Sequence, residues 1–444
     1  MLPIERRAAI SLALIYMVRM LGLFIILPVF ALFASDFDKS TPFLIGLALG
    51  IYGLFQAVLQ IPFGILSDRI GRKKTIAMGL ILMIVGSAVA ALADSIYWVI
   101  VGRALQGAGA IAAALMALAA DLSRDEQRTK MMATLGASIG FSFLLAMLLG
   151  PLLINVFSVS MLFWFTAGLS ILALLMLFTI VPDPHTSGFS ADTSVNTATL
   201  FELASNKQLL RLDISIFFLH LLITATFVAV PLLLRDNAHL LQGDHWKVYL
   251  PAMLLSVLVM VPMIIVAERY RRMRNVLLAC VMGLLITQVL FASVPTSLVV
   301  LFACVVLFFC FLNTMEALLP SLVSRVAPAG SRGSATGIYS SSQFLGAFVG
   351  GAGGGWLLGA VGFGGLFLAM AGVCVLWLLC LWHFVPPQAV KTHRRILSDQ
   401  ELATNEVELH AKLVAEPGVE EVMISPKEGI AYMKVDKAKF RPTA

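Results

Sequence analysis

The sequence predicts an all-α membrane protein: twelve transmembrane helices in two pseudo-symmetric six-helix bundles, followed by a small α+β domain. Three observations carry that expectation. Only 13% of the 444 residues are charged while 59% are hydrophobic, about half the charge that a water-facing globular surface carries. The apolar residues fall into twelve runs, each near the roughly 20 helical residues that a bilayer crossing needs. The bases collect in alternate gaps between those runs.

In order, the first six runs lie at 8–34, 42–66, 75–93, 96–120, 131–154 and 159–181. A polar stretch from Pro182 to Lys207 separates them from six more, at 209–234, 246–267, 275–294, 297–324, 334–358 and 361–385. The expected domains are an N-terminal bundle over 1–181, a central loop over 182–208, a C-terminal bundle over 209–385 and a tail over 386–444. The first run is too long for a signal-peptide core and lacks a clear small-residue cleavage site, so it reads as a retained helix.

Loop charge sets the expected orientation. Arg6 and Arg7 precede the first run, and Arg69, Arg72, Lys73 and Lys74 follow the second. Arg124, Arg128 and Lys130 follow the fourth, and Lys207 and Arg211 close the central loop. Arg269, Arg271, Arg272 and Arg274 follow the eighth, and Arg325 and Arg332 the tenth. The alternate loops hold only Lys39, Arg235 and Lys247. Bases stay on the cytoplasmic side, so both termini are expected there. Halves of one origin are also visible, because Pro62, Asp68-Arg69 and Arg72 recur 200 positions later as Pro262, Glu268-Arg269 and Arg272.

After Pro386-Pro387 the chain turns polar. Residues 398–415 read as an amphipathic helix, with Ser398 as N-cap and Glu401 completing a capping box. Pro417-Gly418 stops it. Residues 419–425 and 430–435 read as two strands around a Pro-Lys-Glu-Gly turn. An α-β-β unit of this size is marginal alone.

Several classes are excluded. The net charge of +6 comes from bases anchored beside apolar runs, not from a basic groove, so no nucleic-acid partner is expected. Cys280, Cys304, Cys310, Cys374 and Cys380 all lie in apolar runs without a Cys-x-x-Cys pair; no disulfide framework, metal site or other cofactor is expected. Gly346, Gly350, Gly351 and Gly353 to Gly355 allow close helix approach, and no Gly-Lys-Ser/Thr follows to bind nucleotide phosphates. With no nucleophile–base pair, an enzyme is not expected.

Polar groups inside the runs are costly, so each is a candidate site. Arg19 sits mid-way along the first helix, and Arg103 and Gln106 share a face of the fourth. Tyr52, Gln56 and Gln60 make an i, i+4, i+8 stripe on the second, readable as helix-contact glue or as cavity lining. Asp213, His220 and Thr224 share a face of the seventh helix, with Asp213 close enough to its start to serve as a cap. Asn313 and Glu316 lie one turn apart on the tenth. Flanked by Phe311, Leu312, Leu318 and Leu319, the Glu316 carboxyl favours its neutral form through desolvation, which suits reversible protonation. Glu316, His220 and Asp213 are the proton-coupling candidates; Arg19, Tyr52, Gln56, Gln60, Arg103, Gln106 and Asn313 are the cavity candidates.

The stretch Gly64-Ile-Leu-Ser-Asp68-Arg69-Ile-Gly71-Arg72-Lys73-Lys74 closely resembles the loop motif of the major facilitator superfamily. Gly22 with Pro28 resembles the family's first-helix motif, and Arg103 to Gly109 resembles its fourth-helix motif. Gly150-Pro151 resembles the end of its fifth-helix antiporter motif, without the trailing glycines. In the second half Ile264 and Arg271 stand where Gly64 and Gly71 do, so the full motif is expected in the first half only. The tail segment Pro417 to Asp436 looks like the C-terminal ferredoxin-like domain of YajR-type members, read as proton-driven drug exporters.

This resemblance implies a monomeric secondary transporter of a bacterial inner membrane, with two halves rocking about a midplane site. It implies a conformational latch of Gly64, Asp68, Arg69, Gly71, Arg72 and Lys73, with Asp68 set against the eleventh helix near Ser331 to Gly337. The expected partners are the lipid bilayer, protons and a lipophilic small molecule exported by antiport. A symporter or uniporter of a small polar or anionic solute, with Arg19 and Arg103 holding a carboxylate, is an alternative. So is a membrane sensor acting through its tail, whose ligand the sequence does not name.

Overall fold

The computed structural model describes residues 1–34, 37–154, 156–183, 202–328, 331–386, 390–398, 406–425 and 430–436. The first half holds α1 (Pro3–Phe24), α2 (Phe30–Phe33), α3 (Pro42–Ile70), α4 (Arg72–Ala91), α5 (Ile96–Ala108), α6 (Ala112–Asp121), α7 (Asp125–Ile154) and α8 (Val159–Thr179). The second holds α9 (Lys207–Asp236), α10 (Trp246–Glu268), α11 (Met273–Ala292), α12 (Leu298–Val326) and α13 (Arg332–Leu381). Eleven helical segments among the described residues are long and apolar enough to cross a bilayer. The last covers 49 residues, about 74 Å at 1.5 Å per residue and more than twice a ~30 Å hydrocarbon core. Gly362, at φ 69° and ψ −171°, breaks it into two helices, at the start of the twelfth apolar run.

Two runs that read as unbroken helices are interrupted. The first splits at residues 25–29, where Pro28 removes a backbone donor and its ring blocks the preceding turn. The fourth splits at Gly109 to Ile111, between α5 and α6. Here α4 presses close, and a Cβ on Gly109 would collide with the Gly79 carbonyl oxygen.

The halves meet along α3 and α13, backbone against backbone. A Cβ at Gly50 would lie 2.7 Å from the Phe348 carbonyl oxygen, and one at Gly351 2.8 Å from the Gly50 Cα. Gly46 faces Gly351 and Gly355 in the same way, and the Pro42 carbonyl reaches Gly355. Arg235 of α9 adds a hydrogen bond to the Leu32 carbonyl of α2 at 3.2 Å. Toward the Asp68 end the contact fades. A Cβ at Gly337 or Gly333 would meet nothing within 4 Å, and one at Gly64 only Ala113 of its own half. Close backbone contact between the halves thus runs along the end bearing Pro42 and is no longer made at Gly64, Gly333 and Gly337, toward the end bearing Asp68.

In the tail, β1 (Val390–Ile396), α14 (Glu406–Val414), β2 (Val419–Ser425) and β3 (Ile430–Asp436) build a three-stranded sheet of order β1-β3-β2 with one helix. Both pairings are antiparallel, with Ile396 opposite Ile430 and Ser425 also opposite Ile430. Leu397, Leu409, Leu413, Val422, Ala431, Met433 and Val435 form its core. Strand β1 was not legible, since Val-Lys-Thr-His-Arg-Arg-Ile lacks an apolar alternation; its pairing with β3 makes it a strand. The described part of the helix begins at Glu406, so Glu401 and the expected capping box lie outside the described residues.

Candidate functional site

The motif loop between α3 and α4 turns at Gly71, whose φ of 100° suits glycine and strains other residues. Asp68, Arg72 and Lys73 find partners in the first half or the start of the central loop. Asp68 pairs with Arg72, four residues on. Arg72 also donates to Ser67 Oγ at 2.7 Å and reaches Asp121 at the end of α6 at 3.3 Å. Lys73 donates to the Val181 carbonyl at 2.7 Å and pairs with Asp183 at 2.6 Å, while Arg69 is exposed. In this structure the ion-pair partner of Asp68 is Arg72 of its own loop, and the Arg332 side chain, within the expected contact segment, lies outside the described residues.

Inside the first half, the arginines and the polar stripe converge from three helices. Arg19 of α1 donates to Gln56 Oε1, and Gln56 Nε2 donates to Gln60 Oε1 at 2.8 Å. Arg103 of α5 donates to Gln106 Oε1, and Gln106 Nε2 to Ser87 Oγ of α4, both at 2.7 Å. Both cations lie over the Tyr52 ring, its centroid 5.7 Å from the Arg19 guanidinium and 5.0 Å from that of Arg103. All of these residues are buried, so in this conformation the stripe joins helices within the bundle. Ser87 was the missed member, and a lone serine among apolar residues gave no signal for it.

The second half gathers the acids. His220 Nε2 of α9 stands 4.0 Å from Glu316 Oε1 of α12 and 2.8 Å from the Gln343 side-chain nitrogen of α13. Glu316 Oε2 is buried without a hydrogen-bond partner among the described residues, as is the Tyr339 hydroxyl. Tyr339 lies within electrostatic reach of both Glu316 and Asp213. Gln343 and Tyr339 were missed; they stand i, i+4 apart, with Ser340, Ser341 and Ser342 between them. Asn313 turns away to α10, donating to Ser256 Oγ at 2.7 Å. Asp213 is not the cap of α9. Asn206 is, its side chain accepting from the backbone of Gln208 at 2.9 Å and Leu209 at 3.3 Å.

Gly150 and Pro151 lie near the end of α7. A Cβ at Gly150 would stand 2.7 Å from the Ile25 carbonyl and 3.0 Å from Pro28 Cγ. The fifth-helix motif thus seats against the unwound part of the first helix. A cavity of about 310 Å³ between α7 and α8, lined by Leu153, Phe157, Met161 and Trp164, lies away from every polar group named above.

The Major Facilitator Superfamily family model matches residues 12–350 and, in a second overlapping match, 212–419. The chain belongs to the major facilitator superfamily. Its members are secondary transporters rather than enzymes, and this chain is one of them. It is 43% identical over 436 residues to the inner membrane transport protein YajR of Escherichia coli K12, covering 98% of this chain and 95% of that protein. It is 27% identical to the multidrug resistance protein MdtH of Aeromonas salmonicida, over 78% of this chain and 86% of that one. The fold matches a bacterial homologue of the human lysosomal transporter Spinster, in its inward-facing, unoccupied conformation. The TM-score is 0.69 at 15% identity, covering 86% of this chain and 98% of that one.

Proposed function

We propose that this superfamily member is a proton-coupled antiporter of the bacterial inner membrane that exports lipophilic small molecules by alternating access. The observation that carries the reading is the meeting of Glu316 with His220, 4.0 Å apart on facing helices of the second half. A carboxyl held among apolar side chains beside an imidazole can take up and release a proton, and occupancy by that proton biases which face of the transporter is open. Counting α13 as two crossings gives twelve, and the base-rich loops then set both termini in the cytoplasm. In that frame the end bearing Asp68 is the cytoplasmic, open end and the motif loop is an unlatched gate. Asp68 would exchange Arg72 for the start of α13 when the gate closes. The tail's β-α-β-β order supports a partial ferredoxin-like domain.

The test is proton flux in proteoliposomes with a preset pH gradient, on adding lipophilic compounds to the parent and to Glu316→Gln. Compound-triggered flux that Glu316→Gln abolishes supports the reading. Flux that is unchanged in Glu316→Gln, or absent with every compound in a folded parent, overturns it.

A further inference from the structure

The apolar runs of the first half bury two arginines and no acid. These six runs contain no aspartate or glutamate, and Arg19 and Arg103 are their only charged residues. Both are sealed, at 0% and 1% exposed, and both lie over one ring, Tyr52. Neutral acceptors use some of their donors: Gln56 for Arg19, Gln106 at 2.7 Å for Arg103, and the Gly22 and Ala48 carbonyls at 3.5 and 3.4 Å. Arg19 Nε, Arg103 Nη2 and the Tyr52 hydroxyl remain without a hydrogen-bond partner among the described residues. Buried charge lacking a counter-charge is expensive, and three unspent donors around one ring are an arrangement that an anion completes.

We propose that Arg19, Arg103 and Tyr52 bind the anionic head of an amphipathic organic anion, with aromatic monocarboxylates as the simplest examples. This rests on the exporter reading and narrows its substrate class. A carboxylate accepts paired N–H groups from a guanidinium, and such charge-assisted bonds strengthen away from water. The Tyr52 hydroxyl supplies a further donor. An apolar body has a wall nearby. Phe24, on the helix that carries Arg19, stacks edge-on to Phe143 at 5.0 Å, Phe143 meets Phe309 at 6.1 Å, and Phe309 meets Phe227 at 6.3 Å. This ladder crosses from the first half into the second. A cationic lipophile would face two like charges, and a neutral one would leave the donors unspent.

The test uses the full chain in lipid nanodiscs, with benzoate, salicylate and 2-naphthoate set against benzylamine and benzyl alcohol. Binding is read by thermal stabilisation and by tryptophan fluorescence. The carboxylates should stabilise the parent saturably and the amine and alcohol should not. Affinity should fall roughly tenfold or more in Arg19→Gln and in Arg103→Gln, the loss expected for a charge-assisted bond. Arg19→Lys and Arg103→Lys keep the charge and should retain part of the affinity, which serves as the measure where a glutamine variant fails to fold. The proposal is overturned if no carboxylate stabilises the parent, if benzylamine binds as well, or if the arginine variants bind as the parent does. Binding and proton flux, measured side by side on the parent, separate the two readings. Carboxylates that bind through the arginines but move no protons would sink the coupling reading and leave the anion site standing. Lipophilic cations that move protons while no carboxylate binds would do the reverse.

Discussion

The Glu268 carboxylate accepts two hydrogen bonds from the Arg325 guanidinium, at 2.5 and 3.1 Å, tying the end of α10 to the end of α12. In the other half Arg72, the first residue of α4, pairs with Asp121 at the end of α6, so each half carries an ion pair here, built from different positions of the repeat.

A charge swap tests the Glu268–Arg325 tie. The side chains are 30% and 42% exposed, so Glu268→Arg or Arg325→Glu alone should cost about 1 kcal/mol or less beyond added repulsion. The double swap should return both melting temperature and transport rate toward the parent. A double variant as impaired as the worse single one would show that the pair contributes no tie.

Backbone contact between α3 and α13 should not survive added side chains. Gly50→Val and Gly351→Val each place atoms where the partner backbone already lies, at a cost of about 1–3 kcal/mol. That cost falls on the conformation closed at the Pro42 end. Hydrogen exchange of amides near Pro42 and Gly355 should quicken, and exchange rates equal to the parent's would refute the seal.

Gly150→Ala should behave differently from alanine at Gly136 or Gly140, although all three lie on α7. Its Cβ meets the Ile25 carbonyl, whereas theirs meet nothing within 4 Å. Gly150→Ala should lower stability by about 1–3 kcal/mol and slow transport. The other two should be neutral or stabilising by up to about 1 kcal/mol through helix propensity. Thermal unfolding of the three variants checks this.

Removing the α9 cap should cost stability without touching chemistry. Asn206→Ala deprives two backbone donors of their acceptor, worth about 1 kcal/mol, with transport per folded molecule unchanged. Asp213→Asn should show the opposite pattern, near-parental melting with altered transport. The reverse assignment in thermal and flux assays would return the capping role to Asp213.

Much of the candidate site was legible as residue types but not as pairs. Glu316, His220 and Asp213 stood out because ionisable groups rarely occur in apolar runs. That Glu316 faces His220, with Gln343 and Tyr339 beside them, depends on how α9, α12 and α13 pack, and no spacing within one helix encodes it. Asp68 shows the same limit. The motif marked it as important, while its partner follows from whether the two halves are together or apart at that end.

The sequence by itself determined the number and order of apolar segments, their division into repeated halves, the family and the glycine turn at Gly71. These follow from local chemistry, since a bilayer demands long apolar helices and a φ of 100° favours glycine. Only the tertiary structure decided where the first and fourth helices break, that Val390–Ile396 is a strand, and at which end the halves meet backbone to backbone. Those outcomes arise from contacts between segments far apart in the chain, where close backbone approach, a shared ring or a bridging ion pair selects one geometry among several that each segment alone would accept.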